Sequence, residues 1–393
     1  MVSPARPVAH LTARGGARWI AGHPWIFRSD VRLPPGIATG DIALVHDVEG
    51  RLLGQACVSL ASQITLRRLT LDERPVDKAF FRARIADAAA LRQALFPGEA
   101  SYRVIHGDAD GLPGLVVDRY GDWLSVQFLT PAMDRRRELL VGLLVEQFNC
   151  KGIMNRSDAS VRTLEGLPIE KGVIHGDVPD PVVMREGRLE IALSLEHGQK
   201  TGGFLDQREN HLMAGRYAHG RALDCFSYVG GFALQMARKA TQVTAVDSSA
   251  QACERISANA ERNGLGNVAV ACENVFEFLR AAVDAGERYD IIVLDPPAFA
   301  RNKASLAAGL RGYKELNLRA MQLLSPGGYL VTASCSHHVG EQAFEDMLRA
   351  AAADAGRDAQ VLERRGAGRD HPVLLALSET RYLKCHVLRM VQP

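Results

Sequence analysis

Two hydrophobic patterns alternate along the second half of the chain. Short apolar runs of strand length are separated by longer segments whose apolar residues fall on one helical face. The segment from Ala250 to Asn263, for example, places Cys253 and Ile256 on one face. It begins after a serine suited to an N-cap and stops at Gly264. Strands that alternate with helices predict parallel pairing and a doubly wound α/β sheet.

Seven strands are predicted between residue 196 and the end of the chain, and the last two form a hairpin. A mostly parallel seven-stranded sheet is therefore expected. The predicted strands are 222–225, 242–246, 268–271, 290–294, 329–333, 360–363 and 383–390.

The first 74 residues have the pattern of a small β domain. Two apolar runs flank Glu49-Gly50, which predicts a β-hairpin. Arginines and tryptophans precede this hairpin, at Arg6, Arg14, Arg18, Trp19, Trp25, Arg28 and Arg32. Such residues can bind phosphates and stack on bases, which favours RNA binding. The same composition also fits an arginine-rich surface without a role in binding nucleic acid.

Residues 75–195 predict a mixed α+β domain. A helix is expected over 78–95 and a second one from about Asp134, with short strands between them. A hairpin turns at Glu186-Gly187. The expected division of the chain is therefore 1–74, 75–195 and 196–393.

Composition narrows the class of protein. The hydrophobic fraction of 47% and the charged fraction of 23% are typical of a soluble globular protein. No apolar run is long enough to span a membrane, and the first residues lack the apolar segment of a secretory signal, so a cytoplasmic location is expected. The seven cysteines are scattered without a C-x-x-C pair, which argues against disulfides and against a metal site.

Candidate binding residues lie at predicted strand ends, where open α/β sheets bind ligands. Asp224 closes the first strand before a turn with Gly230, whose small size lets the backbone approach a nucleotide-like ligand. Asp247 closes the second strand and is placed to bind both hydroxyls of a ribose. Glu273 and Asn274, after the third strand, could reach an adenine. Helix capping and packing would also explain these residue types.

Two further strand ends carry candidate chemistry. Asp295 begins a D-P-P-x-F motif, in which prolines stiffen the loop and Phe299 could stack on a base. Cys335 lies at the end of the next strand, between two serines. Most buried cysteines are inert packing residues, but this position at a strand end makes such a role less expected. His337 and His338 follow, and solvent or RNA contacts are expected for them because no third metal ligand is suitably spaced.

A family resemblance rests on several motifs together. The matching stretches are KTGGFLDQREN (200–210), DCFSYVGGFAL (224–234), AVDSS (245–249), DPPAF (295–299), RGYKELN (311–317), TASCS (332–336) and DHPVLLALSETRYLK (370–384). With these residues the chain resembles the bacterial ribosomal RNA large-subunit methyltransferase I family. D-P-P-x-F is typical of methyltransferases that act on nucleic acid bases. The resemblance covers the last domain densely and continues into the N-terminal region.

The resemblance implies the fold class and the activity. It implies an N-terminal PUA-like RNA-binding domain, a central α+β domain and a Rossmann-like class I methyltransferase domain. The implied cofactor is S-adenosyl-L-methionine, and the implied partner is RNA, most specifically large-subunit ribosomal RNA. The implied product is 5-methylcytosine, and a homodimer is compatible with the family.

The resemblance also implies roles for individual residues. Cys335 would be the nucleophile that adds to C6 of the cytosine, and Asp295 would contact the target base. Many relatives carry an acid where this chain has Asn274, although its carbonyl could still accept from the adenine amine. The implied cofactor-binding residues are Gln207, Arg208, Asp224, Phe226, Tyr228, Gly230, Asp247, Asn274 and Asp295.

Two alternatives remain for the function. Methylation of another RNA base, at an adenine or guanine nitrogen, is compatible with the same motifs but needs no cysteine. A non-catalytic RNA-binding assembly factor could also be built on a methyltransferase fold.

Overall fold

The computed structural model describes residues 6–300 and 302–391. They fall into two compact units, each built from separate stretches of the chain. The first unit contains the residues up to Met184, together with Ser194–Leu205 and Arg369–Thr380. The second contains Arg185–Leu193, Asp206–Gly368 and the residues from Arg381 onward.

The first unit opens with a small β fold. Its described strands are β1 (Val8–Leu11), β2 (Trp25–Phe27), β3 (Val31–Arg32), β4 (Ile42–His46), β5 (Leu52–Val58) and β6 (Ile64–Thr70), with helix α1 (Ala13–Ile20) after β1. They form one sheet in the order β2-β6-β5-β4-β1-β3. Along β4 every second residue is buried, so Ala43 and Val45 face the core. The predicted hairpin at Glu49-Gly50 is confirmed as the β4–β5 connection.

The remainder of this unit is α+β. Its helices are α2 (Lys78–Leu95), α3 (Pro131–Asp134), α4 (Arg137–Phe148) and α5 (Val161–Leu164). Its strands are β7 (Ser101–His106), β8 (Leu115–Tyr120), β9 (Trp123–Phe128), β10 (Gly152–Asn155) and β11 (Gly172–Gly176), in the order β11-β10-β9-β8-β7. The side chain of Asp77 caps α2 by accepting from the backbone amide of Phe80, so the helix begins at the predicted residue.

A hairpin precedes the second large sheet. Strands β12 (Val182–Glu186) and β13 (Leu189–Leu193) pair with each other and turn at Gly187, whose φ of 61° suits a glycine. The predicted turn at Glu186-Gly187 is therefore confirmed. Glu186 and the strand that follows belong to the second compact unit.

The second unit alternates strands with helices. Its further elements are α6 (Arg208–Tyr217), β14 (Arg221–Cys225), α7 (Gly231–Ala237), β15 (Gln242–Asp247), α8 (Ala250–Arg262), β16 (Val268–Cys272), α9 (Val275–Asp284), β17 (Tyr289–Leu294), α10 (Leu306–Leu323), β18 (Leu324–Ser334), α11 (Glu341–Asp354), β19 (Ala359–Arg365) and β20 (Lys384–Met390). Ser249 caps α8, as predicted from the sequence.

The sheet of this unit runs β16-β15-β14-β17-β18-β20-β19. The first five of these strands are parallel, whereas β20 is antiparallel to both of its neighbours. Alternate residues along these strands pack into two hydrophobic cores, one on each face of the sheet. One core contains Leu223, Ile292 and Leu330, and the other contains Ala222 and Ile291. Both faces are therefore covered by helices, as expected for a doubly wound parallel sheet.

This topology brings the carboxyl ends of the parallel strands to one edge. The register pairs Cys225 with both Val246 and Leu294, and Leu294 with Thr332. The residues that follow these strands therefore gather at that edge, where ligands bind in open α/β sheets. None of the described helices is both long and apolar enough to cross a membrane.

Candidate functional site

The loop between β14 and α7 has an unusual backbone. Phe226, Tyr228 and Gly230 have φ values of 65°, 52° and 93°, which lie in the left-handed region. A residue with a side chain rarely adopts this conformation, and doing so costs about 1–3 kcal/mol for each residue. Such strain persists only where surrounding contacts impose it, and it is commonest at ligand-binding sites.

Asp247, at the end of β15, holds this loop. Its Oδ2 accepts from the backbone amide of Tyr228 at 2.9 Å, and its Oδ1 accepts from the amide of Ser249 at 2.9 Å. Two fixed donors orient the carboxylate, and each oxygen keeps a second lone pair for a ligand. The hydrogen bond to Tyr228 therefore joins Asp247 to the β14–α7 loop, two features that the sequence predicted separately.

Asp224 lies at the base of the same loop. Its side chain is fully buried, and Oδ2 accepts from the amide of Ala233 at 2.9 Å. Its Oδ1 has no hydrogen-bond partner among the described residues. Burial raises the pKa of Asp224 to about 7. A buried carboxyl oxygen without a partner is costly, and a cationic ligand group would relieve that cost.

A buried histidine supports the loop from below. His211 Nδ1 lies 3.0 Å from Glu186 Oε1, and its ring meets the ring of Phe232 edge-on at 4.4 Å. A Cβ added to Gly231 would lie 2.4 Å from Cε1 of this imidazole. The second glycine of the motif is therefore required by the imidazole packed against it. Sequence reasoning did not find His211 or Glu186, because they act through packing.

Asn274 lies in the position expected from the sequence but already has a role. It is exposed just after β16, and its Oδ1 accepts from the amide of Phe276 as the N-cap of α9. The neighbouring Glu273 amide donates to the carbonyl of Asp247 at 3.0 Å. The end of β16 thus adjoins Asp247, while the Asn274 side chain caps a helix.

Asp295, after β17, contacts a residue from a distant part of the chain. Gln207 Nε2 donates to Asp295 Oδ1 at 2.9 Å, and Gln207 is buried immediately before α6. Arg208 is also buried, as the first residue of α6. Phe299 packs on Tyr313 with ring centroids 4.8 Å apart, so its ring is partly used in packing.

Cys335 follows directly on β18, and its side chain is partly exposed. Lys384, on β20, pairs in register with Ser334. Its Nζ donates to the carbonyl of Ser336 at 2.7 Å and to that of Tyr382 at 2.8 Å. Burial lowers the pKa of Lys384 to about 8, and nearby Cys335 acts in the opposite direction. Lys384 was not predicted as a site residue, because its only signal in the sequence is a lysine at the start of an apolar strand.

The loops that carry Asp295 and Cys335 are joined to each other. The amide of Ala300 donates to Ser336 Oγ at 3.2 Å, and Tyr313 Oη lies 2.9 Å from the same oxygen. These bonds are buried and connect the D-P-P-x-F, R-G-Y-K-E-L-N and T-A-S-C-S stretches. These hydrogen bonds therefore hold the loops that carry Asp295 and Cys335 together at one edge of the sheet.

The two histidines that follow Cys335 are exposed. His337 packs on Tyr382 with ring centroids 5.6 Å apart. In the described part of the chain, no group of three or more histidine, cysteine, aspartate or glutamate side chains could hold a metal ion.

Several N-terminal arginines and tryptophans, candidates for RNA binding, serve the internal structure. Trp19 is only 2% exposed, and its indole donates to the carbonyl of Leu53, so it cannot stack on a base. Trp25 donates to Asp108. Arg14 forms an ion pair with the buried Asp30, although its own side chain remains largely exposed. Composition could not reveal this, because it does not say which face of an element a residue occupies.

Two ranges of the chain match known protein families. Residues 155–372 match the family described as S-adenosylmethionine-dependent methyltransferase, and residues 9–71 match the PUA-like domain family. A relative from Shewanella amazonensis, named ribosomal RNA large subunit methyltransferase I, is 44% identical over 94% of this chain and 95% of its own. Proteins of the same name from Aeromonas salmonicida and Escherichia coli O139:H28 are 41% and 38% identical, over 93% and 94% of this chain and 95% and 96% of theirs.

The chain belongs to the ribosomal RNA large subunit methyltransferase I family. Its fold matches two solved structures. SMU.776, a methyltransferase complexed with S-adenosylhomocysteine, gives a TM-score of 0.82 at 20% identity, over 97% of this chain and 99% of that one. A structure assigned to a SAM-dependent methyltransferase from Streptococcus mutans gives 0.81 at 19% identity, over the same shares of 97% and 99%. The predicted fold class is therefore confirmed.

The residues at the sheet edge fit S-adenosylmethionine, the cofactor of this family. The buried Oδ1 of Asp224, which has no described partner, suits the cationic amino group of the methionine part. The carboxylate of Asp247, fixed by two backbone amides, suits a ribose with two hydroxyls. The strained β14–α7 loop lies between them and would enclose the ligand.

Proposed function

We propose that this protein methylates C5 of a cytosine in large-subunit ribosomal RNA, with Cys335 as a covalent nucleophile. One observation carries the proposal. Cys335 and Asp295 follow adjacent parallel strands, and the hydrogen bond from Ala300 to Ser336 ties their loops together. A thiol and a carboxylate at one edge supply the two groups that cytosine-C5 chemistry needs.

Covalent catalysis explains why the site contains a thiol. The thiolate of Cys335 adds to C6, which forms the S–C6 bond and turns the C5–C6 double bond into a nucleophilic enamine. S-adenosylmethionine, when bound, would supply an electrophilic methyl group, whose bond to the sulfonium sulfur breaks and leaves S-adenosylhomocysteine. After C5 carries the methyl group, loss of the C5 proton and cleavage of the S–C6 bond restore the double bond and release Cys335.

Lys384 and Asp295 assist this sequence. The Lys384 ammonium is held beside Cys335 by the carbonyls of Ser336 and Tyr382, and a nearby cation favours a thiolate over a thiol. Asp295 accepts from N3–H and from the N4 amino group of the cytosine, and its negative charge stabilises the proton on N3. The protonated N3 draws electrons away from C6 and takes up the electron pair displaced when the thiolate adds. The target base must first leave its stack, at a cost of roughly a few kcal/mol.

Cofactor binding is proposed for a separate group of residues. Asp224, Asp247 and the backbone of the Phe226–Gly230 loop contact the ligand directly. Asn274 lies near the adenine end, although its carbonyl oxygen is used by the cap of α9.

In this proposal the N-terminal region binds the RNA substrate. An open cavity of about 930 Å³ in the first unit has mostly apolar lining residues, with Arg6, His10, Arg32 and Arg136 among them. Arg32 is exposed and forms no ion pair with any residue that the structure describes. Basic groups in such a groove bind phosphates without reading sequence.

We also propose that the chain is organised in three domains, a PUA-like domain over 1–74, an α+β domain over 75–195 and the methyltransferase domain over 196–393.

Identification of the product tests the proposal. RNA from a strain lacking the gene would be incubated with the protein and methyl-labelled S-adenosylmethionine, then digested to nucleosides. Label in 5-methylcytidine from large-subunit ribosomal RNA is expected. Label in a methylated adenosine or guanosine would show that Cys335 is not the nucleophile. Absence of label from every RNA would contradict the catalytic proposal and favour an assembly factor.

A cysteine variant tests the covalent step. Cys335→Ala should lower methyl transfer by roughly a thousandfold or more, because no other group can add to C6. Its affinity for S-adenosylhomocysteine should stay within about twofold of wild type, since the sulfur lies outside the proposed cofactor site. Cys385→Ala, on the buried face of β20, is a matched control that should retain transfer. Full activity of Cys335→Ala would overturn the mechanism.

A further inference from the structure

We propose that Arg365, Asn210 and Gln207 form a hydrogen-bond relay of fixed polarity that keeps a donor directed at Asp295. We call these three residues the relay. The inference rests on the proposed role of Asp295 and assigns positioning functions to residues that do not touch the substrate. It also gives Gln207 a purpose different from cofactor binding.

The relay consists of three consecutive bonds. Arg365 Nε donates to Asn210 Oδ1 at 2.8 Å, and Asn210 Nδ2 donates to Gln207 Oε1 at 2.6 Å. Gln207 Nε2 then donates to Asp295 Oδ1 at 2.9 Å. Gln207 is 2% exposed and Asn210 is 1% exposed, so water has little access to replace these bonds.

The direction of the relay follows from its first member. An amide can be turned end for end with little change in shape, so its orientation must be inferred from its partners. A guanidinium donates and never accepts, which requires the oxygen of Asn210 to face Arg365. The amide nitrogen of Asn210 must then face Gln207, and the nitrogen of Gln207 must face Asp295.

Neighbouring contacts hold both ends of the relay in place. Asn210 Nδ2 also donates to the carbonyl of Gly366 at 3.1 Å, which accounts for the second hydrogen of that amide. Arg365 is anchored by Glu363 at 2.8 Å, and Glu363 accepts from the hydroxyl of Tyr217 at 2.7 Å. Arg365 therefore has a fixed position at the end of β19, and it can set the polarity of the buried amides.

The consequence concerns the carboxylate. A fixed N–H donor stabilises the charged form of Asp295 and restricts its rotation, as charge-assisted hydrogen bonds do. If Gln207 turned end for end, its oxygen would face a carboxylate oxygen, and the two acceptors would repel each other. Asp295 would then be misplaced for contact with the cytosine edge, while cofactor binding would be unaffected.

Two variants break the relay in different ways. Asn210→Asp keeps the shape and the bond from Arg365 but can donate neither to Gln207 nor to the carbonyl of Gly366. When the Gln207 amide turns to donate to the new carboxylate, its oxygen faces Asp295. Gln207→Met removes the donor without adding charge. Each should lower kcat for transfer of labelled methyl to large-subunit ribosomal RNA by about ten- to a hundredfold. The affinity for S-adenosylhomocysteine should stay within about twofold.

The double variant tests whether the two amides act through one chain of bonds. In the Gln207→Met background, Asn210→Asp should cost less than about threefold further in kcat, because there is no amide left to turn. Independent effects of the two residues on Asp295 would give costs that multiply. Asn267→Asp is the matched control: its amide donates to the carbonyls of Ala237 and Ala240 at the opposite sheet edge. It should lower the melting temperature but leave kcat unchanged.

The outcomes distinguish this inference from the proposed function. Wild-type kcat in either single variant, or multiplied costs in the double variant, would overturn the relay. Asp295→Asn is measured alongside: if it transfers methyl groups at the wild-type rate, the proposed role of Asp295 itself fails. Loss of activity in Asp295→Asn with normal kcat in both relay variants would reject the relay alone.

Discussion

The ammonium of Lys384 donates to the carbonyl of Ser336 at 2.7 Å, one residue beyond the proposed nucleophile Cys335. The bond places a buried cation beside the thiol, at a position where the antiparallel β20 meets the end of β18. Burial lowers the pKa of Lys384 to about 8, so the side chain is charged at neutral pH and loses its charge in mildly alkaline solution.

Lys384→Met should slow alkylation of Cys335 by iodoacetamide. The expected decrease is about three- to tenfold near pH 7, because the thiolate loses the favourable charge of Lys384. The difference should shrink above about pH 9, where Lys384 is largely neutral in the wild-type protein too. Peptide-resolved mass spectrometry is the measurement, since the exposed Cys272 also reacts.

Lys239→Met provides the comparison for this experiment. Lys239 is exposed and donates to the carbonyl of Arg216, so its loss should not alter the alkylation of Cys335. Equal alkylation rates in Lys384→Met and wild type near neutral pH would show that Lys384 does not stabilise the thiolate.

Asp247→Ala should weaken S-adenosylhomocysteine binding by about ten- to a hundredfold. The change removes the proposed ribose acceptor and releases the amide of Tyr228, which holds the β14–α7 loop. Isothermal titration calorimetry measures the affinity. Asp284→Ala, on the exposed end of α9, should bind like wild type. Unchanged affinity in Asp247→Ala would remove the ribose role.

Asp224 should make cofactor binding depend on pH. Its pKa of about 7 means that the carboxyl is partly protonated near neutrality, whereas a cationic amino group favours the ionised form. The affinity for S-adenosylhomocysteine should therefore fall as pH falls below about 7, by up to about tenfold per pH unit. Above that pH no proton has to leave, and the affinity should level off.

Asp224→Asn separates this effect from other titrations. The variant should bind more weakly and without the loss of affinity in acid, because the titrating carboxyl is absent. Asp247→Asn should keep the pH dependence of the wild type. A wild-type affinity that stays constant between about pH 5.5 and pH 8 would contradict the proposed contact between Asp224 and the amino group.

Gly231→Ala should destabilise the second unit. The added methyl group would lie 2.4 Å from the His211 ring, which the contacts with Glu186 and Phe232 hold in place. A cost of about 1–3 kcal/mol and weaker cofactor binding are expected. Thermal denaturation followed by circular dichroism checks the first effect.

Gly142→Ala is the control for this experiment, because the methyl group that it adds has open space around it. Gly142 lies within α4, and a Cβ there meets nothing within 4 Å. Alanine should therefore stabilise the helix by about 0.5–1 kcal/mol. Equal melting temperatures for Gly231→Ala and wild type would mean that His211 can move aside.

The strands were predictable because each is encoded locally. The strand predicted over 242–246 is observed as Gln242–Asp247, and the one predicted over 290–294 is observed as Tyr289–Leu294. In each case an apolar run stops at an aspartate that begins a loop. The positions of Asp247, Asp295 and Cys335 at one sheet edge follow from parallel pairing, which the alternation of strands and helices already implied.

The partners of these residues were not predictable in the same way. The sequence placed Gln207 near the cofactor, but it gave no sign of the bond to Asp295, 88 residues away. Trp19 looked available for RNA and is buried in the first sheet's core. Residue type and local spacing say what a side chain can bind, but they do not say what lies opposite it.

Local sequence patterns are enough to predict the order of strands and helices, the family, and the strand ends that carry Asp224, Asp247, Asp295 and Cys335. Those features depend on residues close together in the chain, whose hydrophobic period and turn residues fix local structure. The folded structure was needed to show that Lys384 lies beside Cys335 and that Arg365 contacts Asn210, 155 residues away. Such contacts are set by the strand order of the sheet and by close packing of its faces, which bring distant segments together without a local signal.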